Sequence, residues 1–460
     1  MSRPSSRIDS VIHAVRSRIS SRLDGPGSRL PSVRAQAAAM GVSVSTVVEA
    51  YERLAAEGVI AARAGSGFYV AGPAAPLALA EMEPRLDRAV DPLWVSRQSL
   101  ETPPGHLKPG CGWMPSDWLY HDGLRRGLRR MARADSAQLV DYAGPLGLPA
   151  LRQTLQRRAA TLGIDASMEQ LLLAESGTHA VDLICRFLLK PGDCVLVDDP
   201  SYFNYHAMLK AHQVQAIGVP YTHTGPDLEV FASALQEHAP RLYITNAGLH
   251  NPTGAVLSAT TAHRLLGLAE RSELIIIEDD IFADFELRPA PRLAALDGLS
   301  RVIHVGSFSK AISAASRCGY IAARPDWIEA LTDLKLATSF GGGHLAAHLM
   351  QIALTDSGYR RHMQAVRTRL ADARKHTLRQ VQKLGITPWL QPEAGLFLWC
   401  QLPDGRDASA VARLCLREGV VVAPGNAFSQ SQSAGDFLRF NVAQCSDARI
   451  FEVLARALTG

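Results

Sequence analysis

Six short apolar runs constrain the fold of this chain more than any other feature. They are "QLLLAES", "DCVLVDD", "RLYITN", "ELIIIEDD", "RVIHVGS" and "GYIAARP", all between residues 170 and 325. Each is continuous rather than alternating, as expected of strands buried on both faces. Segments with helical periodicity, such as "HAVDLICRFLL" and "ATTAHRLLGLAERS", separate several of them. From about residue 140 onward the pattern predicts an α/β fold around a mainly parallel, doubly covered sheet. In such sheets a ligand sits beyond the carboxyl ends of the strands.

The residues at those ends carry chemistry. "RLYITN" runs into "AGLHNPTG" and offers Asn251, "ELIIIEDD" ends on Asp279 and Asp280, and "RVIHVGS" ends on Ser307. Lys310 follows one turn later, with Arg317 beyond it. "AESGTHAVDL" is a turn opening a helix at Gly177, Thr178 and His179, a cradle of N–H groups for a phosphate. "DDPSYF" puts Tyr202 after another strand, where its face can stack on a ring. Only seven of the 48 basic residues are Lys, so an ammonium group at 310 stands out. A Schiff base needs a primary amine, which a guanidinium cannot replace. The set fits pyridoxal phosphate. Lys310 serves as nucleophile, Asp279 faces the pyridine nitrogen, and Asn251 donates to the phenolic oxygen. Ser307, Thr178 and Arg317 hold the phosphate, and His179 adds a backbone N–H. Taken singly, a Lys after a strand is ordinarily a solvated group, Asp-Asp a helix cap and "HNPTG" a turn. Their order along one sheet edge gives them weight together.

The first seventy residues read differently. Residues 1–72 hold nine Arg against five acids, the whole net charge of +4; the rest has 39 bases and 39 acids. A basic end on a neutral body points to a polyanion as partner for that end. Ile8, Val11, Ile12, Val15 and Ile19 mark one helix face. A second helix is expected from near Pro31 to a stop at Gly41, and a third, capped by Ser43, to Gly58. The third helix should bury Val47, Val48, Tyr51, Leu54 and Ala55. "VIAARAGSGFYVA" predicts a two-stranded hairpin about Gly65-Ser66-Gly67. This order is a winged helix-turn-helix, which places Ser43, Val44, Ser45, Thr46 and Glu49 at bases or phosphates and Arg34 and Arg63 on the DNA backbone.

These features set the domain boundaries: 1–72 for the DNA-binding module, a Pro- and Ala-rich linker over 73–104 with at most a short helix, then a large body over 105–455. Seven scattered cysteines without ligand spacing predict reduced thiols, with neither a disulfide framework nor a metal site. The N-terminus has no apolar signal run, and the long uncharged run Leu336 to Thr355 contains three glycines, two His and a Gln. A cytoplasmic, nucleoid-associated protein without membrane contact is expected.

The motifs "RLPSVRAQA", "VSVSTVVEAYERLAAEG" and "GSGFYV" resemble the winged helix of GntR-type regulators, although the family often has Arg where this chain has Val44. "YAGPLGLPALR", "NPTG", "IIIEDD", "SFSKAISAASRCGYI", "GVVVAPGNAF" and "FLRFNVA" resemble a fold-type I aminotransferase domain with its smaller α+β subdomain. That resemblance implies Lys310 as the imine lysine, Tyr202 on the cofactor ring and Arg439 on a substrate or effector carboxylate. A GntR-like module fused to such a domain is the organisation of MocR-type regulators. It implies a homodimeric, operator-binding transcription factor sensing an amino acid, an amine or the cofactor itself. The alternative is a true α-amino-acid aminotransferase with an accessory DNA-binding module. Ile281 and Phe282 stand where the family commonly has a Tyr bonding the phenolic oxygen, a loss of roughly 1 kcal/mol that leans against efficient turnover.

Overall fold

The computed structural model describes residues 7–20, 28–63, 66–71, 92–103 and 105–459. They form two compact units, one on each side of residues 72–91.

The N-terminal unit contains α1 (Arg7–Ser20), α2 (Val33–Met40), α3 (Val44–Ala56) and the strands β1 (Ile60–Arg63) and β2 (Gly67–Val70). Val11 and Val15 of α1 pack with Val47, Ala50, Tyr51 and Leu54 of α3, and Ile60 and Val70 close the core. Tyr51 meets Phe68 edge-on at 5.0 Å. α2 starts two residues later than expected, because the Ser32 hydroxyl accepts the Ala35 N–H and fixes the N-cap there. It stops at Gly41, whose φ of 64° is the left-handed C-cap that favours glycine. The expected apolar face of α3 needs one correction. Val48 is exposed and Ala50 is buried in its place, since the stripe steps by three and four from Val47. Ile60 pairs with Val70 and Arg63 with Gly67 in the antiparallel hairpin; Gly65 of its expected turn lies outside the described residues.

The C-terminal unit begins, among the described residues, with α4 (Pro92–Glu101). This helix falls in the expected linker but is no free tether: Val95 is buried among Phe203, Trp399 and Phe428 of the body. The rest of that linker, residues 73–91 and 104, lies outside the described residues. All six apolar runs are strands: β3 (Leu171–Ala174), β4 (Cys194–Asp199), β7 (Leu242–Thr245), β8 (Ile275–Asp279), β9 (Val302–Ser307) and β10 (Gly319–Ala322). With β5 (Gln215–Thr222) and β6 (Gly225–Pro226) they build an eight-stranded sheet in the order β3-β10-β9-β8-β7-β4-β5-β6. The central strands β9, β8, β7, β4 and β5 are parallel; β10 runs antiparallel to both its neighbours. β5 escapes the apolar-run criterion because it lies near the sheet edge and includes Gly218 and Pro220. A second, antiparallel sheet joins β11 (Thr387–Pro388), β12 (Phe397–Gln401), β14 (Phe437–Asn441) and β13 (Ala423–Pro424), the core of the smaller subdomain. The seven cysteines are free thiols. Among the described residues, no helix is long and apolar enough to cross a membrane.

Candidate functional site

The direction of the strands brings the site together. β4, β7, β8 and β9 are parallel, so their carboxyl ends share one sheet edge. β10 opposes β9 and β3, so the start of β10 and the end of β3 lie at that same edge. A cavity of about 280 Å³ opens there, lined among others by Lys310, Asp279, Asn251, Tyr202, Ser307 and Arg439. Gly177, Thr178 and Arg317 also reach it. A larger groove of about 800 Å³ lies elsewhere, along Arg126, Arg129, Arg130 and Arg133. Its lining includes His348 but neither a carboxylate nor a Lys, so amine chemistry belongs to the smaller cavity.

Lys310 follows β9, and its neighbours leave space: a Cβ added at Gly112 would still stand 3.6 Å from its Nζ. Burial first, and the Arg439 charge second, push its pKa down from 10.5 to about 8. Of the two acids ending β8, only Asp279 faces the cavity. Asp280 is bonded to Arg292 at 2.8 Å and to His304 at 3.1 Å. Burial raises the Asp279 pKa, and a hydrogen bond from Tyr205 Oη at 2.6 Å pulls it back. Asn246 Nδ2 donates to the Asp279 carbonyl at 2.7 Å and fixes the strand end.

Arg439, on β14, is wholly buried. Its Nη1 donates to Asn251 Oδ1 at 2.9 Å and its Nη2 to the Gly110 carbonyl at 2.7 Å, while Nε has no partner. Occupying Oδ1 leaves the Asn251 Nδ2 as the group with donors to spare. Burial lowers the Arg439 pKa to about 10, and among the described residues no carboxylate is paired with it. A buried guanidinium without a counter-charge is costly.

The phosphate cradle is the start of the helix Gly177–Leu188, capped by Ser176. Its first N–H groups, Gly177 and Thr178, have no intrahelical acceptor. Glycine keeps the cradle open at 177, since a Cβ there would sit 3.3 Å from Ser307 Cβ and Ser307 would have to give by a few tenths of an ångström. His179 needs a correction. Its N–H donates to Ser176 Oγ at 3.0 Å, and its ring accepts the Glu175 N–H at 3.2 Å and lies on a neighbouring surface cleft, so it is not available to a phosphate. Arg317 is held at φ 45°, a strained left-handed conformation that functional sites tolerate.

In the N-terminal unit, Val44, Ser45, Arg34 and Arg63 are exposed, and Thr46 is partly so. The Ser43 hydroxyl caps α3 as expected: it accepts the Thr46 N–H at 3.1 Å and bonds the Ser45 and Thr46 hydroxyls, which engages it at the helix end. Glu49 is paired with Arg53, and the Arg63 guanidinium rests on the Tyr69 ring at 4.3 Å.

Sequence reasoning missed Tyr205, Asn246 and the cavity face of α4. Tyr205 lies one helical turn from Tyr202 in "SYFNY", and that spacing could have found it. Nothing in the sequence marks α4 as a wall.

Comparison with known proteins agrees with this division. Residues 120–457 match the family described as aminotransferase class I and II, and residues 7–70 match the bacterial regulatory proteins of the gntR family. The chain is 29% identical to the HTH-type transcriptional regulator YdcR of Escherichia coli, over 93% of each chain. It is 26% identical to the regulator NorG of Staphylococcus aureus, over 94% of this chain and 99% of that one. Among solved structures it is similar to the α-aminoadipate aminotransferase LysN of Thermus thermophilus, complexed with N-(5'-phosphopyridoxyl)-L-leucine: TM-score 0.72, 25% identity, 79% of this chain and 94% of that one. A kynurenine aminotransferase from Pyrococcus horikoshii shares the fold, with TM-score 0.73 at 23% identity over 81% of this chain and 95% of that one.

Proposed function

We infer, from the premise that the chain belongs to the class I and II aminotransferase family and carries a GntR-type DNA-binding module ahead of that domain, that it is a pyridoxal-phosphate-dependent, MocR-type transcription regulator. The reading extends to a small amino acid or amine as effector. The single observation that carries it is Arg439, a buried cation with one unpartnered N–H and no carboxylate beside it, on the wall that also presents Lys310. A ligand carboxylate would supply the missing charge.

The residues fit the cofactor. The glycine cradle at 177, the cation at Arg317 and the hydroxyl of Ser307 suit a phosphate, and Asp279 suits a protonated ring nitrogen. When bound, pyridoxal phosphate supplies an aldehyde that a primary amine can capture and a ring that withdraws electrons. Lys310 presents that amine, with about one molecule in ten neutral at pH 7. Tyr205 keeps Asp279 ionised against its burial, and Tyr202 flanks the ring position. Asn251, oriented by Arg439, directs its amide N–H into the cavity. Phe282 brings no hydroxyl, which favours sensing over turnover.

Ser45, Thr46 and Val44 lead α3 into the DNA groove, with Arg34 and Arg63 on phosphates. A homodimer is supported by an exposed apolar cluster. Val140, Tyr142 and Phe340 are 77%, 80% and 65% exposed, and Tyr142 meets Phe340 at 4.9 Å. The test is twofold. Lys310→Ala should abolish the visible absorbance that survives desalting, and Arg34→Ala should reduce the salt slope of operator binding by about one charge. An unchanged spectrum refutes the site, and an unchanged slope refutes the DNA surface.

A further inference from the structure

α4 forms one wall of the cavity that holds Lys310. Val95, Ser96, Ser99 and Leu100 all line it, at the i, i+1, i+4 and i+5 spacing of a single helical face. The helix is anchored from behind: Val95 is 1% exposed among Phe203, Trp399 and Phe428. Ser99 is 2% exposed, and its Oγ is buried without a hydrogen-bond partner. Helical Ser ordinarily bonds the carbonyl four residues back or turns to solvent. Ser99 does neither, yet it stands on a cavity wall.

We propose that α4 is a contact element of the effector site and that Ser99 Oγ hydrogen-bonds the effector. This rests on the sensing role given above to the Lys310 cavity. The ligand class narrows accordingly. Arg439 takes a carboxylate, Lys310 marks where an amine is received, and Ser99 adds a hydroxyl suited to a second polar group. At about 280 Å³ the cavity must take the cofactor as well as the effector, which leaves room for a small amino acid only. The position of α4 gives the contact a consequence. It is the first described element after residues 72–91, the stretch that joins the body to the DNA-binding unit. An effector seated on Ser99 therefore touches the element that directly follows that stretch in the chain, and differential contact with one position of α4 suffices to bias the regulator.

The test uses the full-length, cofactor-loaded protein. The proteinogenic L-amino acids and 4-aminobutyrate are titrated singly, following cofactor absorbance and, by anisotropy, affinity for a duplex from the upstream region. For the amines that respond, Ser99→Ala should raise the apparent Kd roughly tenfold, the worth of one neutral hydrogen bond, and shrink the amine-induced change in DNA affinity. Ser99→Thr, which keeps the hydroxyl, should restore the affinity. Hydrogen exchange of the peptide spanning 92–101 should slow when the amine is added. If the unaltered protein responds while Ser99→Ala matches it in Kd and DNA response, this inference fails and the sensing reading stands. If the unaltered protein responds to no amine of the panel, the sensing reading falls and takes this inference with it.

Discussion

The protonation of Lys310 gives the sharpest quantitative expectation. An ordinary lysine at 10.5 is neutral in only about one molecule in 3,000 at pH 7. Burial and the neighbouring Arg439 bring Lys310 to about 8, which makes about one molecule in ten neutral, a gain of roughly 300-fold in reactive amine. The sign follows from charge. Lowering the pKa favours the neutral form, so the fraction able to attack rises through pH 8 and then levels. Apo-protein mixed with pyridoxal phosphate in a stopped-flow spectrometer should therefore capture it at a rate rising about tenfold per pH unit from 6 to 7.5 and flat above 9. Arg439→Gln removes a positive neighbour and should move the midpoint upward. A wild-type rate still climbing tenfold per unit at pH 9.5 would show an unperturbed amine. The burial argument would then be wrong.

Two other outcomes follow from the same geometry. Tyr205→Phe deletes the 2.6 Å hydrogen bond to Asp279, a bond to a charged acceptor worth roughly 1.5–3 kcal/mol. Its Asp279 pKa should rise, and cofactor affinity, measured by equilibrium dialysis, should fall about tenfold or more, most at low pH where Asp279 is first protonated. Ser43→Ala removes the α3 cap and should cost the N-terminal unit about 1 kcal/mol in thermal or urea unfolding, whereas Ser45→Ala should leave stability unchanged and weaken operator binding.

Much of the architecture was legible in the sequence because buried strands advertise themselves. β3, β4, β7, β8, β9 and β10 are apolar on both faces, and no helix or loop of this length needs that composition. β5 was not legible, since it lies near the sheet edge and is half solvated. Lys310, Asp279 and Asn251 could be placed at one sheet edge because each lies at the carboxyl end of a strand or a few residues beyond it. His179 shows the limit. It stands at a helix start, where a side-chain cap and an external ligand compete for the same N–H, and the sequence does not say which has it. α4 was illegible for another reason. Its one buried apolar anchor, Val95, packs against residues more than a hundred positions away, so no local periodicity records it.

The charge balance of the cavity explains why these residues tolerate one another. Lys310, Arg317 and Arg439 face a single acid, Asp279, so the wall carries an excess of positive charge. In a buried site that excess would be self-defeating if nothing offset it. Two features reduce it within the chain: Lys310 sheds about a tenth of its charge at pH 7 as its pKa falls, and Arg439 spreads its own over Asn251 and the Gly110 carbonyl. What remains matches a phosphate dianion at one end and a carboxylate at the other. A ligand carrying both charges relieves more repulsion than either alone. Bound side by side, phosphate and carboxylate repel one another, so a regulator that responds to an amino acid only when its cofactor is in place would draw that dependence from the aldehyde the cofactor offers to the amine, not from charge relief.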